Sequence, residues 1–123
     1  MTDETTRKFR KELMTGLSSL VLLVVLEQAD REMYGYEIAK AMKLEGDGQA
    51  APLFKQGAIY PVLRQLAASG LLASRTEPSE VGPPRRYYRI TEEGRRTLAE
   101  WLVTWREMRA FVDGAIVSRK TLS

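Results

Sequence analysis

The chain has 123 residues, of which 44% are hydrophobic, enough for the core of one small domain. It contains no cysteine and no histidine, which excludes disulfides, thiolate metal sites and Ser-His catalysis. The formal net charge of +3 is too small to identify a nucleic-acid binder by itself. We expect a protein that is not an enzyme and that uses no cofactor and no metal.

The N-terminal segment predicts one long helix that is partly buried. Apolar residues recur at intervals of three and four from Phe9 to Val24, which predicts a helix over residues 4–28. The run Leu20–Leu26 is apolar almost all round and indicates deep burial, although its β-branched residues leave a strand as the alternative. The run is too short to cross a bilayer, and charged residues follow it rather than a cleavage site. We therefore expect a cytoplasmic protein without a membrane partner.

Two shorter helices follow, separated by a predicted loop over residues 46–54. The first, over residues 34–44, would face the core with Ile38. The second, over residues 56–69, ends before Gly70 and begins with small and polar residues. Its apolar face comprises Ile59, Val62, Leu63 and Leu66.

The second half of the chain predicts a β-hairpin and a long final helix. Two extended runs, residues 71–77 and 85–90, flank a segment rich in proline and glycine. Thr91 is suited to cap a helix that continues to residue 118. Its apolar stripe is longer than so small a domain could cover, so part of it should pack on a second copy of the chain. The expected dimerisation residues are Leu98, Trp101, Leu102, Trp105, Met108, Val112 and Ile116.

This order of elements is that of a winged helix-turn-helix. The predicted fold class is therefore mostly α (α+β), with such a DNA-binding domain over residues 1–90 and a dimerisation helix over residues 91–123. In this arrangement the N-terminal end of the second helix of the motif points at base edges in the major groove of double-stranded DNA. Tyr60 and Arg64 lie there and could contact phosphate, unless they are ordinary surface residues.

Three motifs in this order resemble the PadR family of bacterial transcriptional regulators. They are Tyr-Gly-Tyr-Glu-Ile at residues 34–38, the segment 57–72, and Gly-Pro-Pro-Arg-Arg-Tyr-Tyr at residues 82–88. The single helix after them resembles the short subfamily. The resemblance implies a homodimeric repressor that binds a palindromic operator and is released by a small molecule. The positions that it implies for DNA contacts are Tyr36, Lys40, Gln56, Ala58, Tyr60, Pro61, Arg64, Arg85 and Arg86.

The resemblance has one departure and one further implication. Pro83 stands where the family usually has a basic residue, which predicts weaker contacts by the wing. In drug-responsive members a tryptophan of the last helix lines a pore at the dimer centre, and Trp105 falls at the matching position. A planar aromatic molecule would stack there, unless this tryptophan is a plain dimer-core residue. The implied ligand-binding residues are Leu13, Gly16, Leu17, Leu20, Trp105 and Met108.

Two classes of function remain open from the sequence. One is a ligand-responsive repressor that binds DNA. The other is a winged-helix module that binds a protein partner with the same surface, because a fold alone does not determine a function. DNA binding through arginines and lysines should weaken steeply with salt, whereas an interface with an apolar core should not.

Overall fold

The winged helix-turn-helix architecture predicted from the sequence is confirmed. The computed structural model describes residues 2–45 and 56–122, so the predicted loop over residues 46–54 lies outside the described residues. The elements are, in chain order, α1 (Thr2–Ala29), β1 (Met33–Tyr34), α2 (Gly35–Glu45), α3 (Gln56–Ala68), β2 (Leu72–Glu77), β3 (Arg85–Ile90) and α4 (Glu92–Leu122).

A small antiparallel sheet forms the wing and joins it to the helices. Its strand order is β1-β3-β2. The hairpin of β2 and β3 follows the predicted runs, with Leu72 opposite Ile90. The short strand β1 was not predicted, and it pairs with β3 so that Tyr34 lies opposite Tyr87. Alternate residues of β3 turn inward, and Tyr88 is buried against the helices.

The core lies between the helices and the inner face of the sheet. Leu22, Leu23 and Leu26 of α1 are fully buried there, so this apolar run is helical and the strand alternative is wrong. By length and composition α1 could also cross a membrane, a test that core helices of soluble proteins pass as well. Ile38 and Leu63 contribute the core residues predicted for α2 and α3.

Local signals mark the end of α3 and the start of α4. Gly70 adopts a φ of 84° after α3, and the Leu71 N–H donates to the Leu66 carbonyl at 3.0 Å. This left-handed turn is the usual glycine stop of a helix. Thr91 caps α4 as predicted, because its Oγ1 accepts a hydrogen bond from the Gly94 N–H at 2.9 Å.

The start of α4 is fixed tightly to the end of α3. The Thr91 hydroxyl donates to the Gly70 carbonyl at 2.7 Å. A Cβ at Gly94 would overlap the Leu71 carbonyl oxygen and lie 2.7 Å from Ile90 Cγ1, so only glycine fits against the sheet. An ion pair between Arg95 and Asp30 adds a contact with the end of α1. The first turns of α4 therefore belong to the domain core.

The later turns of α4 leave that core. Leu98 is fully buried in its own chain, so it has no surface to offer a second chain and its assignment to the dimerisation face needs correction. Trp101 and Leu102 pack partly against the core. From Val103 onward every described side chain of the helix is exposed.

Candidate nucleic-acid interface

A groove runs between the start of α2, the exposed side of α3 and the wing. Its volume is about 640 Å³. Five of the residues predicted to contact DNA line it together, although they come from three separate segments of the chain. They are Tyr36, Tyr60, Arg64, Arg85 and Arg86.

The position of Tyr60 depends on Gly35, the first residue of α2. A Cβ at Gly35 would lie inside van der Waals contact with Cε1 of the Tyr60 ring and 3.2 Å from its Cδ1. The ring of the α3 residue therefore occupies the space that a side chain on α2 would need. This contact packs the start of α2 directly against the Tyr60 ring beside the groove.

The tip of the wing is stiffened by local contacts. The Ser79 hydroxyl donates to the Val81 carbonyl at 2.6 Å. Gly82 follows with a φ of 88°, a conformation that favours glycine. Pro83 and Pro84 then fix two further φ angles. The Val81 side chain is 89% exposed, so the tip presents an apolar side chain to solvent.

The outer face of the sheet carries a row of side chains that the sequence did not reveal as a group. Tyr34, Tyr87 and Arg75 lie side by side on β1, β3 and β2. The Tyr34 and Tyr87 ring centroids are 5.8 Å apart, with edge-on geometry. The Arg75 guanidinium lies 4.7 Å from the centroid of Tyr87. The signal in the sequence was the alternation along β3, but the pairing register was needed to use it.

The carboxylate of Glu32, the residue before β1, lies at the end of this row. Arg75 donates from Nε and Nη2 to the two oxygens of Glu32, at 2.7 and 2.9 Å. The hydrogen bonds from Arg75 hold the pKa of Glu32 below its usual value, and Glu32 in turn raises the pKa of Arg75. Both groups stay ionised near neutral pH. The charge of Arg75 is thus largely balanced, and this arginine is not a good candidate for phosphate binding.

The other residues predicted for DNA contact lie outside the groove lining. Lys40, Ala58 and Pro61 are exposed on α2 and α3. Pro61 is inside α3. The side chain of Gln56 lies outside the described part of the chain, although its backbone begins α3.

The residues predicted for the ligand site lie on α1 and α4. Leu17 and Leu20 are half-buried, whereas Leu13, Met108 and Gly16 are exposed. Trp105 is 38% exposed. None of the six residues is fully buried in the single chain, so a pocket that encloses a ligand between them would need further walls.

Comparison with known proteins identifies the fold family. The model of the transcriptional regulator PadR-like family matches residues 22–100. A PadR family transcriptional regulator from Eggerthella lenta is 30% identical, covers 94% of this chain and 95% of its own, and superimposes with a TM-score of 0.70. Bacillus subtilis PadR in complex with operator DNA is 29% identical over 73% of this chain and 47% of its own, with a TM-score of 0.57. An uncharacterized protein of Lysinibacillus sphaericus is 28% identical over 105 residues, which cover 85% of this chain and 92% of its own.

Proposed function

Because this chain belongs to the PadR-like family of transcriptional regulators, we propose that it is a homodimeric, cytoplasmic repressor that binds a palindromic operator and is released by a small molecule. Members of the family are transcriptional regulators and not enzymes, which agrees with the absence of cysteine and histidine. The observation that carries the proposal is the groove in which α3 and the wing converge with their tyrosines and arginines. A relative of this fold has been solved on operator DNA.

In the proposed complex, α3 enters the major groove and the wing follows the backbone. The first turns of α3 present Ala58 and Pro61, whose small surfaces allow a close approach. Tyr60 and Arg64 line the groove beside them and would donate to phosphate oxygens. Lys40 on α2 would add a second cation. Most of these contacts are to phosphate and position the protein on the duplex. Gln56 at the start of α3 would recognise the bases.

The exposed apolar side chains of two helices support a dimer. On α4, Trp105, Met108, Val112 and Ile116 recur at three and four residues, and each is more than a third exposed. Phe9 and Leu13 are exposed in the same way on α1. Such a long unpaired apolar stripe is unusual for a soluble monomer. A two-fold pairing through α4 and α1 would cover the stripe and would match a palindromic operator.

The same pairing would complete a ligand site. Two copies of Trp105 could face one another across the axis, with Leu17 and Leu20 of α1 as apolar walls. Stacking between two indole rings suits a planar aromatic molecule. Trp105→Ala should abolish saturable quenching of tryptophan fluorescence by such compounds, whereas Trp101→Phe should retain it. Absence of quenching across a chemically varied panel would contradict the ligand proposal and leave DNA binding untouched.

The central experiment measures DNA binding by fluorescence anisotropy. A labelled duplex from upstream of the gene itself is titrated with the protein at several salt concentrations and with competitor DNA. We expect binding that survives competitor, weakens log-linearly with salt and is lost in Tyr60→Ala/Arg64→Ala. The matched control is Tyr60→Ala/Arg106→Ala, which should keep the contribution of Arg64, since Arg106 is exposed on α4 and does not line the groove.

A second outcome would favour the other function. The proposal of sequence-specific DNA binding would be contradicted if competitor DNA removed the protein at every salt concentration. This result would have to hold for this duplex and for a genome-wide selection of fragments. A protein-interaction module with the same surface would then be the better description, because the fold serves both purposes.

A further inference from the structure

The two arginines at the base of the wing are adjacent in sequence but lie on different sides of β3. Side chains alternate along a strand, so Arg86 shares the side of Tyr88 and Arg85 shares the side of Tyr87. Tyr88 is buried in the core, whereas Tyr87 belongs to the outer row. The neighbours of the two guanidinium groups are therefore different.

Arg85 is held by the outer row. Its guanidinium carbon lies 4.7 Å from the centroid of the Tyr34 ring, in the geometry of a cation–π contact. The backbone of Tyr34 is held in place, because its N–H donates to Glu37 Oε1 at 3.1 Å in the first turn of α2. The edge of Tyr87 supports the same ring, and Arg75 covers Tyr87. Stacking of Arg85 on Tyr34 thus joins the base of the wing to β1, the strand that directly precedes α2.

Arg86 has a different environment. Its side chain is exposed and lines the groove beside α3, as that of Arg85 does, but it makes none of the contacts that hold Arg85. Among the residues that the structure describes, Arg86 has no ion pair, no ring contact and no side-chain hydrogen bond. Its guanidinium can therefore reach a phosphate without giving up a partner within the protein.

We propose that Arg86 is the wing residue that contacts the DNA backbone, and that Arg85 is a positioning residue that fixes the wing by stacking on Tyr34. This inference rests on the proposed DNA binding. It assigns separate roles to Arg85 and Arg86, which cannot be distinguished from the sequence alone. A wing held in place before binding loses less conformational entropy when it meets DNA. The cation–π stack would thus act on affinity without forming a contact with phosphate.

The test is the slope of log affinity against log salt, measured with the operator duplex. Arg86→Ala should lower the magnitude of this slope by about 0.9 for each phosphate that the variant no longer neutralises. Arg85→Ala and Tyr34→Leu should weaken binding by about two- to fivefold per protomer and leave the slope unchanged. The double variant Tyr34→Leu/Arg85→Ala should lose no more than the larger single effect. Tyr34→Phe keeps the ring and should bind as the wild type does.

The outcomes separate this inference from the function on which it rests. A wild-type protein that shows no salt-dependent operator binding contradicts the proposed function itself. If the wild type binds but Arg85→Ala reduces the salt slope as much as Arg86→Ala does, only the division of roles is overturned. Additive losses from Tyr34→Leu and Arg85→Ala overturn it as well. Circular dichroism of each variant excludes loss of folding as the cause.

Discussion

Replacing Gly35 with alanine should weaken operator binding while the fold persists. The new Cβ would overlap the Tyr60 ring, and the nearest ring atom would have to retreat by about 1 Å or more to restore van der Waals contact. Tyr60 is only partly buried, so its ring has room to move toward the groove. The substitution therefore displaces a side chain that we propose to contact phosphate, without touching that residue.

The expected magnitudes follow from these contacts. A hydrogen bond to a charged phosphate contributes about 1.5 kcal/mol at the lower end, so its loss should cost roughly tenfold in affinity for each protomer. The stability of the fold should change by less than about 1 kcal/mol, because the partly buried Tyr60 ring can turn toward the groove and relieve most of the overlap. Fluorescence anisotropy measures the first quantity, and urea unfolding followed by circular dichroism measures the second.

Two control variants test whether the position of Tyr60 causes the loss of affinity. Tyr60→Phe removes only the hydroxyl and should show the same loss of affinity. Gly114→Ala is also a helical glycine substitution, but its Cβ would meet open space, so DNA binding should be unchanged. Wild-type affinity in Gly35→Ala would show that the position of Tyr60 does not matter for DNA. A loss of several kcal/mol of stability would show that the ring cannot move.

Three other predictions concern stability and assembly. Leu63→Ala removes a fully buried side chain of α3 and should cost about 2–5 kcal/mol in urea unfolding; a loss below about 1 kcal/mol would contradict the close packing of this core. Thr91→Ala removes the cap of α4 and should lower the free energy of unfolding by about 1 kcal/mol, whereas Thr91→Ser should retain most of it. Trp105→Ala should shift the protein from dimer toward monomer in sedimentation velocity, and an unchanged sedimentation coefficient at micromolar concentration would argue against pairing through α4.

Helix positions and their caps could be read from the sequence because their signals are local. The spacing of apolar residues predicted the position of α3. The helix ends just before Gly70, a glycine with a positive φ. Thr91 was recognised as a cap because its type and its position before two glutamates are sufficient evidence. These features depend on a few neighbouring residues and hardly on the rest of the fold.

Features that depend on pairing between distant segments could not be read in this way. Strand β1 has two residues, too few for any periodicity, and it exists because Met33 and Tyr34 pair with β3. The different neighbours of Arg85 and Arg86 required the register of that pairing. Leu98 continues the apolar stripe of α4 without a break, and only the packed structure shows that it faces its own core.

Because α3 and α4 are joined directly, a movement of the long helix α4 would also move the surface that we propose to contact DNA. The hydrogen bond from the Thr91 hydroxyl to the Gly70 carbonyl allows the two helices little independent movement. Trp105 lies about 21 Å from Thr91 along the axis of α4. A tilt of α4 by about 5° about Trp105 would therefore move the α3–α4 junction by about 2 Å. In the proposed dimer, a ligand beside Trp105 could thus change the spacing of the two recognition helices without contacting DNA. The chain has no cysteine, so a spin label on Ser69→Cys would report that spacing directly, and a distance that does not change with saturating ligand would rule the coupling out.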